Sequence, residues 1–282
     1  MTTTEISRAA PAAVPSEAPT RAAAAPRVGR VALSAAPIAG ALLLWHLLTT
    51  FDVSLWLRFD KIPSPVEVYD ALVVQLGTGR FYGDLLASLR RILAGFLLAA
   101  LTGVALGVAV GRVRWVAALA RPLIEVTRPI PAIALVPLAI LLFPTGEQGI
   151  VFITWFAAFF PICVSTVHAM RALPTVWEDA ARTMGAGRRS VLLHIVLPGA
   201  MPGIFSGLSV AMGVAWICVI SAEMISGQYG VGYFTWQAYG LLDYPAVVAG
   251  MLSIGVLGLG TAWLVERLGR RINRWLPGEA RR

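Results

Sequence analysis

The sequence predicts an all-α polytopic membrane protein with about six transmembrane helices. Three observations predict it. Of 282 residues, 57% are hydrophobic and 13% charged, where a soluble domain carries about 25% charged residues. The apolar residues collect in nearly uncharged runs of roughly 20, long enough to cross a bilayer as helices. The basic residues are almost all arginines at the ends of those runs, and Lys61 is the only lysine. The net charge of +8 therefore reads as orientation signals beside membrane helices, not as a nucleic-acid surface.

The elements follow in order. Residues 1–30 are rich in Ala, Pro, Ser and Thr, with Arg8, Arg21, Arg27 and Arg30 among them. They cannot bury a core and are expected to be a disordered cytoplasmic tail. The apolar run behind them starts too late and runs too long for a cleaved signal peptide. Residues 31–61 hold the first span, 31–50, and an outer loop with Asp52, Asp60 and Lys61. After the turn Ile62-Pro63-Ser64-Pro65, the residues Val66, Val68, Tyr69, Leu72, Val73 and Leu76 largely share one helical face, the pattern of an interfacial helix. The second span is 92–110, with a break at 111–114. Region 116–143 carries Arg121, Pro122, Glu125, Arg128, Pro129, Pro131 and Pro137. It reads as a short helix, a proline-rich turn and an apolar helix from about Pro131. Such backbone at membrane depth requires surrounding protein or a watery cavity. The fourth span is 150–168, the fifth 203–222 and the sixth 246–265, with a short tail at 276–282.

Six spans place both termini on one side. The N-terminus, the 111–121 break, the 170–198 segment and the C-terminal tail carry most of the arginines and share that side, which is the cytoplasm by the positive-inside rule. The opposite loops hold only Arg58, Lys61 and Arg80, with Arg90 and Arg91 at the outer end of the second span, where long basic side chains snorkel to the interface. Gly103, Gly107 and Gly111 recur every four residues, as do Gly203 and Gly207. Such faces let helices approach closely, here within the bundle. Cys163 and Cys218 lie in apolar runs and read as small buried hydrophobes. His46, His168 and His194 show no metal-ligand spacing.

The informative stretch lies between the fourth and fifth spans, at 170–198. Thr175 and Glu178 have capping-box form and predict a helix start. Trp177, Ala180, Ala181 and Met184 then form one apolar face. Gly185 stops the helix, and a second helix over about 188–196 returns to the membrane at Pro198. An amphipathic helix displayed outside the bilayer rests on lipid or docks in a partner's groove. Its small alanines favour the groove.

This segment resembles the cytoplasmic loop of ATP-binding-cassette importer permeases. That family's pattern is Glu-Ala-Ala, three residues, Gly, nine residues, Ile, one residue, Leu-Pro. Ala180, Ala181, Gly185, Ile195, Leu197 and Pro198 stand at the required spacing, with Asp179 in place of the Glu. Over residues 62–275, Ser88-Leu89-Arg90-Arg91 leading into Gly95, Arg128-Pro129-Ile130-Pro131, Ala222-Glu223-Met224-Ile225 and Gly230-Val231-Gly232-Tyr233 are similar to the branch serving nitrate, sulfonates and taurine. That branch also includes permeases for pyrimidine precursors. The resemblance implies the type I importer permease fold in a bacterial plasma membrane. It implies a permease homodimer, two ATPase subunits and an extracytoplasmic binding protein. It makes Glu178, Asp179, Ala180, Ala181, Met184, Gly185, Ala186, Ile195, Leu197 and Pro198 the ATPase-coupling residues. The chain has no Gly-x-x-x-x-Gly-Lys-Ser/Thr phosphate loop, and its lysine falls on the opposite side. ATP and Mg are therefore expected on the ATPase, with no cofactor and no enzymatic activity in this chain.

Path candidates are Arg128, Pro131, Trp155, Trp216 and Glu223. Arg128 is open to two readings: attraction of an anion within the path, or a salt bridge with Glu125. Glu223 either lines an outer gate or holds a loop amide. Trp155 and Trp216 either line a cavity or pack. A secondary transporter would show broken helices in two related halves, whereas one broken region is present. A membrane enzyme would need clustered acid–base or nucleophilic groups at membrane depth, and no such cluster is seen in the sequence.

Overall fold

The structure is a computed structural model that describes residues 27–51 and 62–275, with side chains from residue 36 onward. The expectations for residues 1–26, for the outer loop 52–61 and for the tail 276–282 lie outside the described residues. Helix α1 (Arg27–Thr50) starts inside the stretch expected to be a tail. The helix is 24 residues long, and its apolar part with described side chains is Ala36–Thr50. The Trp45 indole donates to the Pro63 carbonyl at 3.1 Å, joining α1 to the start of α2 (Pro65–Leu76).

Helix α2 begins with a capping box that the sequence reading did not identify. The Ser64 hydroxyl accepts from the Glu67 amide, and the Glu67 carboxylate accepts from the Ser64 amide at 2.7 Å. Its packed stripe is narrower than the expected face. Val68 is buried and Ala71, Leu72 and Gln75 are half-buried, while Val66, Tyr69, Val73 and Leu76 stay exposed. The helix rests mainly on α11, with lesser contacts to α3 and α1, and so one stripe is covered.

Four helices are individually long and apolar enough to cross a membrane. They are α3 (Gly79–Arg112), α6 (Gly146–Arg171), the continuous helix 188–226, and α11 (Tyr244–Ile272). A fifth crossing is broken. Helix α4 (Arg114–Thr127) meets a 3-10 turn (Ala132–Leu135) and α5 (Val136–Leu142) at a bend of 83°. The bend falls at Arg128–Pro131, where Pro129 and Pro131 withdraw two backbone donors.

The glycine ladder fixes the directions of the helices. A Cβ at Gly95 would lie 2.5 Å from Thr154, at Gly103 3.0 Å from Ile162, at Gly107 2.6 Å from Thr166 and at Gly111 2.9 Å from Met170. Both sides of this seam ascend together, so α3 and α6 run parallel. The bent α4–α5 segment therefore carries the chain back between them. Gly203 and Gly207 meet Ala169 and Ser165 in descending order, so the 188–226 helix is antiparallel to α6. Gly269 beside Phe205 and Thr261 beside Trp216 make α11 antiparallel to it in turn. Arg112, Arg171, Arg188 and Arg270 consequently share one end of the bundle. The main core joins Ile92 and Phe96 of α3, Ala158 and Ile162 of α6, and Met212 and Val219 on the 188–226 helix.

That helix runs without interruption through the join expected between the 188–196 helix and the 203–222 span. It consists of α8 (Arg188–Val191), a π turn (Leu192–Val196) and α9 (Leu197–Ser226). Pro198 has no amide to donate, and its ring crowds the carbonyl of His194. The wider π turn just before it relieves that crowding. Helix α10 (Val231–Gly240) lies between α9 and α11 and was not anticipated as a separate element.

Candidate coupling surface and translocation groove

Helix α7 (Thr175–Thr183) stands between α6 and α8 at the arginine-bearing end. Its N-cap is Pro174, with no side-chain cap. The expected capping box is thus corrected: Thr175 is already the first helical residue, so Glu178 sits one position too far along to close the box. Glu178 instead pairs with Arg112 at 2.7 Å and Arg182 at 3.5 Å. The first of these pins α7 to the end of α3.

The expected apolar face is split. Ala181 is 3% exposed and packs with Met170, Val191, Val196, Ala200 and Ile204. Trp177, Ala180 and Met184 are exposed, with Val176 beside them. Ala181 therefore lies off the exposed face of α7. Adjacent helical residues point about 100° apart at 3.6 residues per turn, so Ala180 faces outward while Ala181 faces the chain's own core. Gly185 has φ +87°. Its amide donates to Arg182 O at 2.9 Å, and the Ala186 amide donates to Ala181 O at 3.0 Å. Those two bonds make a Schellman C-cap. Asp179 is exposed. Ala186, Ile195, Leu197 and Pro198 are half-buried, and Ala186, Ile195 and Leu197 pack around the same cluster as Ala181.

The path candidates scatter. Arg128 is exposed and lines two adjoining cavities of about 200 and 430 Å3. The larger is a groove walled by Ile130, Phe156, Phe160, Ser165 and Val210. The Glu125 salt bridge is not formed. Both side chains reach into the smaller cavity without closing on each other, and among the described residues no ion pair involves Arg128. Pro131 precedes the 3-10 turn just beyond this arginine. Trp155 lines a separate apolar cavity of about 560 Å3 with Thr102 and Phe152, and donates to the Thr102 hydroxyl at 2.9 Å. Trp216 is 6% exposed within the main core, its indole donating to Thr261 at 2.8 Å. It is a packing residue that ties α9 to α11, which corrects the cavity reading.

Glu223 is wholly buried, with no exposed surface. It accepts from the Gly232 amide at 2.9 Å, the Ser88 hydroxyl at 2.8 Å and Arg91 at 2.8 Å. Arg91 was expected to snorkel, but it is 2% exposed. It bridges Glu223, Glu147 and the Tyr229 carbonyl. Asp84 accepts the Gly230 amide and Ser88 the Val231 amide, both at 2.9 Å. Gly230, at φ +133°, has no room for a side chain, since a Cβ would lie 2.3 Å from the Glu223 carboxyl carbon. A signal for this network was present in the sequence. Asp84, Ser88 and Arg91 fall at i, i+4 and i+7, one polar stripe leading into an apolar span, and such a stripe must find partners.

The family described as binding-protein-dependent transport system inner membrane component matches residues 95–274. The chain belongs to this family. The permease is 37% identical over 225 residues to a Methanocaldococcus jannaschii protein named as an ABC transporter permease, covering 78% of this chain and 82% of that one. It is 29% identical over 259 residues to a bicarbonate transport system permease protein of Synechococcus elongatus, covering 87% and 89%. It is 28% identical over 245 residues to a nitrate import permease protein of the same species, covering 82% and 86%. Its fold matches a chain of the inward-facing MetNI methionine ABC transporter with a TM-score of 0.53 at 22% identity, covering 70% of the permease and 98% of that chain. The permease is thus a multi-pass subunit of an ABC importer and not an enzyme.

Proposed function

We propose that this permease forms the path for a small anion such as nitrate, bicarbonate or a sulfonate, and that α7 is the helix on which the ATPase subunit docks. The observation that carries the reading is the exposed face of Val176, Trp177, Ala180 and Met184, outside the spans and braced from behind by Ala181 and the Glu178–Arg112 pair. An apolar helix face held rigid and left open suits a groove on a partner. The arginine-rich end that bears it is the cytoplasmic side by the positive-inside rule, and both termini share that side. ATP and Mg belong to the ATPase. A binding protein delivers solute at the opposite end, and two copies of the permease enclose the path in a bacterial plasma membrane.

Arg128 at the junction of two cavities supports an anionic solute, as do relatives named for nitrate and bicarbonate. The aromatic walls Phe156 and Phe160 favour a second reading for the same groove, a small planar heterocycle such as a pyrimidine precursor. The test is uptake of nitrate, bicarbonate, taurine and a pyrimidine precursor by vesicles holding the permease, its ATPase and its binding protein. Arg128→Ala is expected to lose anion uptake and Arg128→Lys to retain part of it, with ATPase recovery unchanged in both. Full anion uptake by Arg128→Ala would overturn the anion reading, and uptake of the heterocycle alone would establish the second.

A further inference from the structure

We propose that the smaller cavity, between α4 and α6, is a binding site for a small oxyanion at the inner mouth of the permease, held by Arg121 and Arg171 with Arg128 at its deep end. The first ground is the orientation of α4. Trp115, Leu119, Leu123 and Val126 are 65–74% exposed and form its outer face. Arg121, Glu125 and Arg128, spaced four and three apart, line the cavity on the opposite face. The apolar face points away from the protein and the charged face borders the cavity, with Arg121, Glu125 and Arg128 themselves exposed. That arrangement suits a bilayer, where ionisable side chains face protein or water. Across the cavity, the last turn of α6 adds His168 and Arg171.

The second ground is charge. Three guanidinium groups share this space with a single carboxylate, Glu125. Among the described residues, no ion pair forms to Arg121, Arg128 or Arg171. The remaining walls include Val110, Ile124, Val164 and Val167. Low-dielectric walls around a net positive charge concentrate its field on whatever enters. Guanidinium forks match planar and tetrahedral oxyanions in geometry. About 200 Å3 admits such an ion with a few waters, each taking about 30 Å3 of liquid volume.

The third ground is continuity. Arg128 and Val164 belong to both this cavity and the aromatic groove. From Val164 to Arg171 is about 10 Å along α6 at 1.5 Å per residue. An anion leaving the groove enters this mouth, and one already in the cytoplasm reaches it from below. That traffic, and the slowing of further import by an anion held at the mouth, rests on the proposed transport reading. Binding itself does not.

The experiment uses the permease–ATPase complex in phosphatidylcholine nanodiscs, without the binding protein. Potassium nitrate, bicarbonate or phosphate is titrated against gluconate at constant ionic strength, and the melting temperature is read. A parallel series replaces part of the lipid with phosphatidylglycerol. Saturable stabilisation by at least one free anion is expected. Arg121→Gln and Arg171→Gln should each weaken it about tenfold or more, the scale of one charge-assisted hydrogen bond. Arg171→Lys should keep most of it, and Arg270→Gln on α11 should leave it intact. Should phosphatidylglycerol alone give the Arg171-dependent stabilisation, the oxyanion is a lipid phosphate at the same site. The proposal is overturned if no free anion and no phosphatidylglycerol stabilises the wild type more than Arg121→Gln and Arg171→Gln. Full anion uptake by Arg128→Ala beside Arg171-dependent stabilisation of the wild type would overturn the path and leave the mouth. Loss of that uptake with no such stabilisation would overturn the mouth and leave the path.

Discussion

At Gly107 a Cβ would meet the Thr166 Cβ at 2.6 Å and the Cys163 carbonyl at 2.9 Å. The backbone oxygen cannot swing away, so the two helices must part. Overpacking of this kind costs about 1–3 kcal/mol. Gly107→Ala should therefore lower the melting temperature of the detergent-solubilised permease, and Gly107→Leu should prevent recovery of a monodisperse protein. Gly185 is the opposite case. No heavy atom lies within 4 Å of its would-be Cβ, and only φ +87° restricts it. Gly185→Ala should cost about 1–2 kcal/mol. Gly185→Val should cost more because branching tightens that region further, and paired thermal scans would rank the two. Arg91 and Glu223 depend on each other. Removal of one member of a buried ion pair costs about 3–5 kcal/mol, so Arg91→Ala should destabilise strongly. Glu147→Gln should do far less, because the Glu147 side chain is 56% exposed and water screens its share. Sequence reading gave the glycines their role because spacing alone carries it. It misplaced Arg91 because snorkelling and pairing look alike until the partners, Glu147 and Glu223, are brought near.

Helix α7 gives two adjacent alanines different surroundings, Ala180 exposed and Ala181 buried. Ala180→Glu should leave the permease folded, yet reduce ATPase recovery in a pull-down and uptake in the same membranes. Ala181→Glu places a charge in a packed cluster, at a cost of several kcal/mol, and should lower the permease's own yield and melting temperature. Normal stability in Ala181→Glu together with lost ATPase would reverse this assignment. Periodicity revealed the helix, and the glycine spacing revealed its end. Neither could say which alanine turns inward, because that depends on Val191, Val196 and Ala200 arriving from the following helix. The broken crossing was legible from Pro129 and Pro131, which forbid a regular helix locally. The π turn was not, since no residue type demands one. It arises from fitting Pro198 into a helix that packing requires to be continuous.

Over the whole molecule, parallel α3 and α6 put the arginine-rich ends together, and this agreement between charge and packing gives a direct test of topology. Cys163 and Cys218 are buried, so background labelling should be low. A cysteine at Gly185 should resist a membrane-impermeant thiol reagent in intact cells, and one at the exposed Tyr229 should react. The reverse result would invert the protein in the membrane. The spans were readable from composition because a bilayer demands long apolar runs. The continuous helix from Arg188 to Ser226 has a mechanical consequence. At 39 residues it is a rod about 58 Å long, seated beside α7 at one end and clasped to Arg91 through Glu223 near the other. A tilt of about 5° about its base would carry the far end by about 5 Å over that length. The clasp is 2.8 Å long and cannot stretch so far. Either α3 swings with this lever as one arm, or any such tilt must unfasten the clasp.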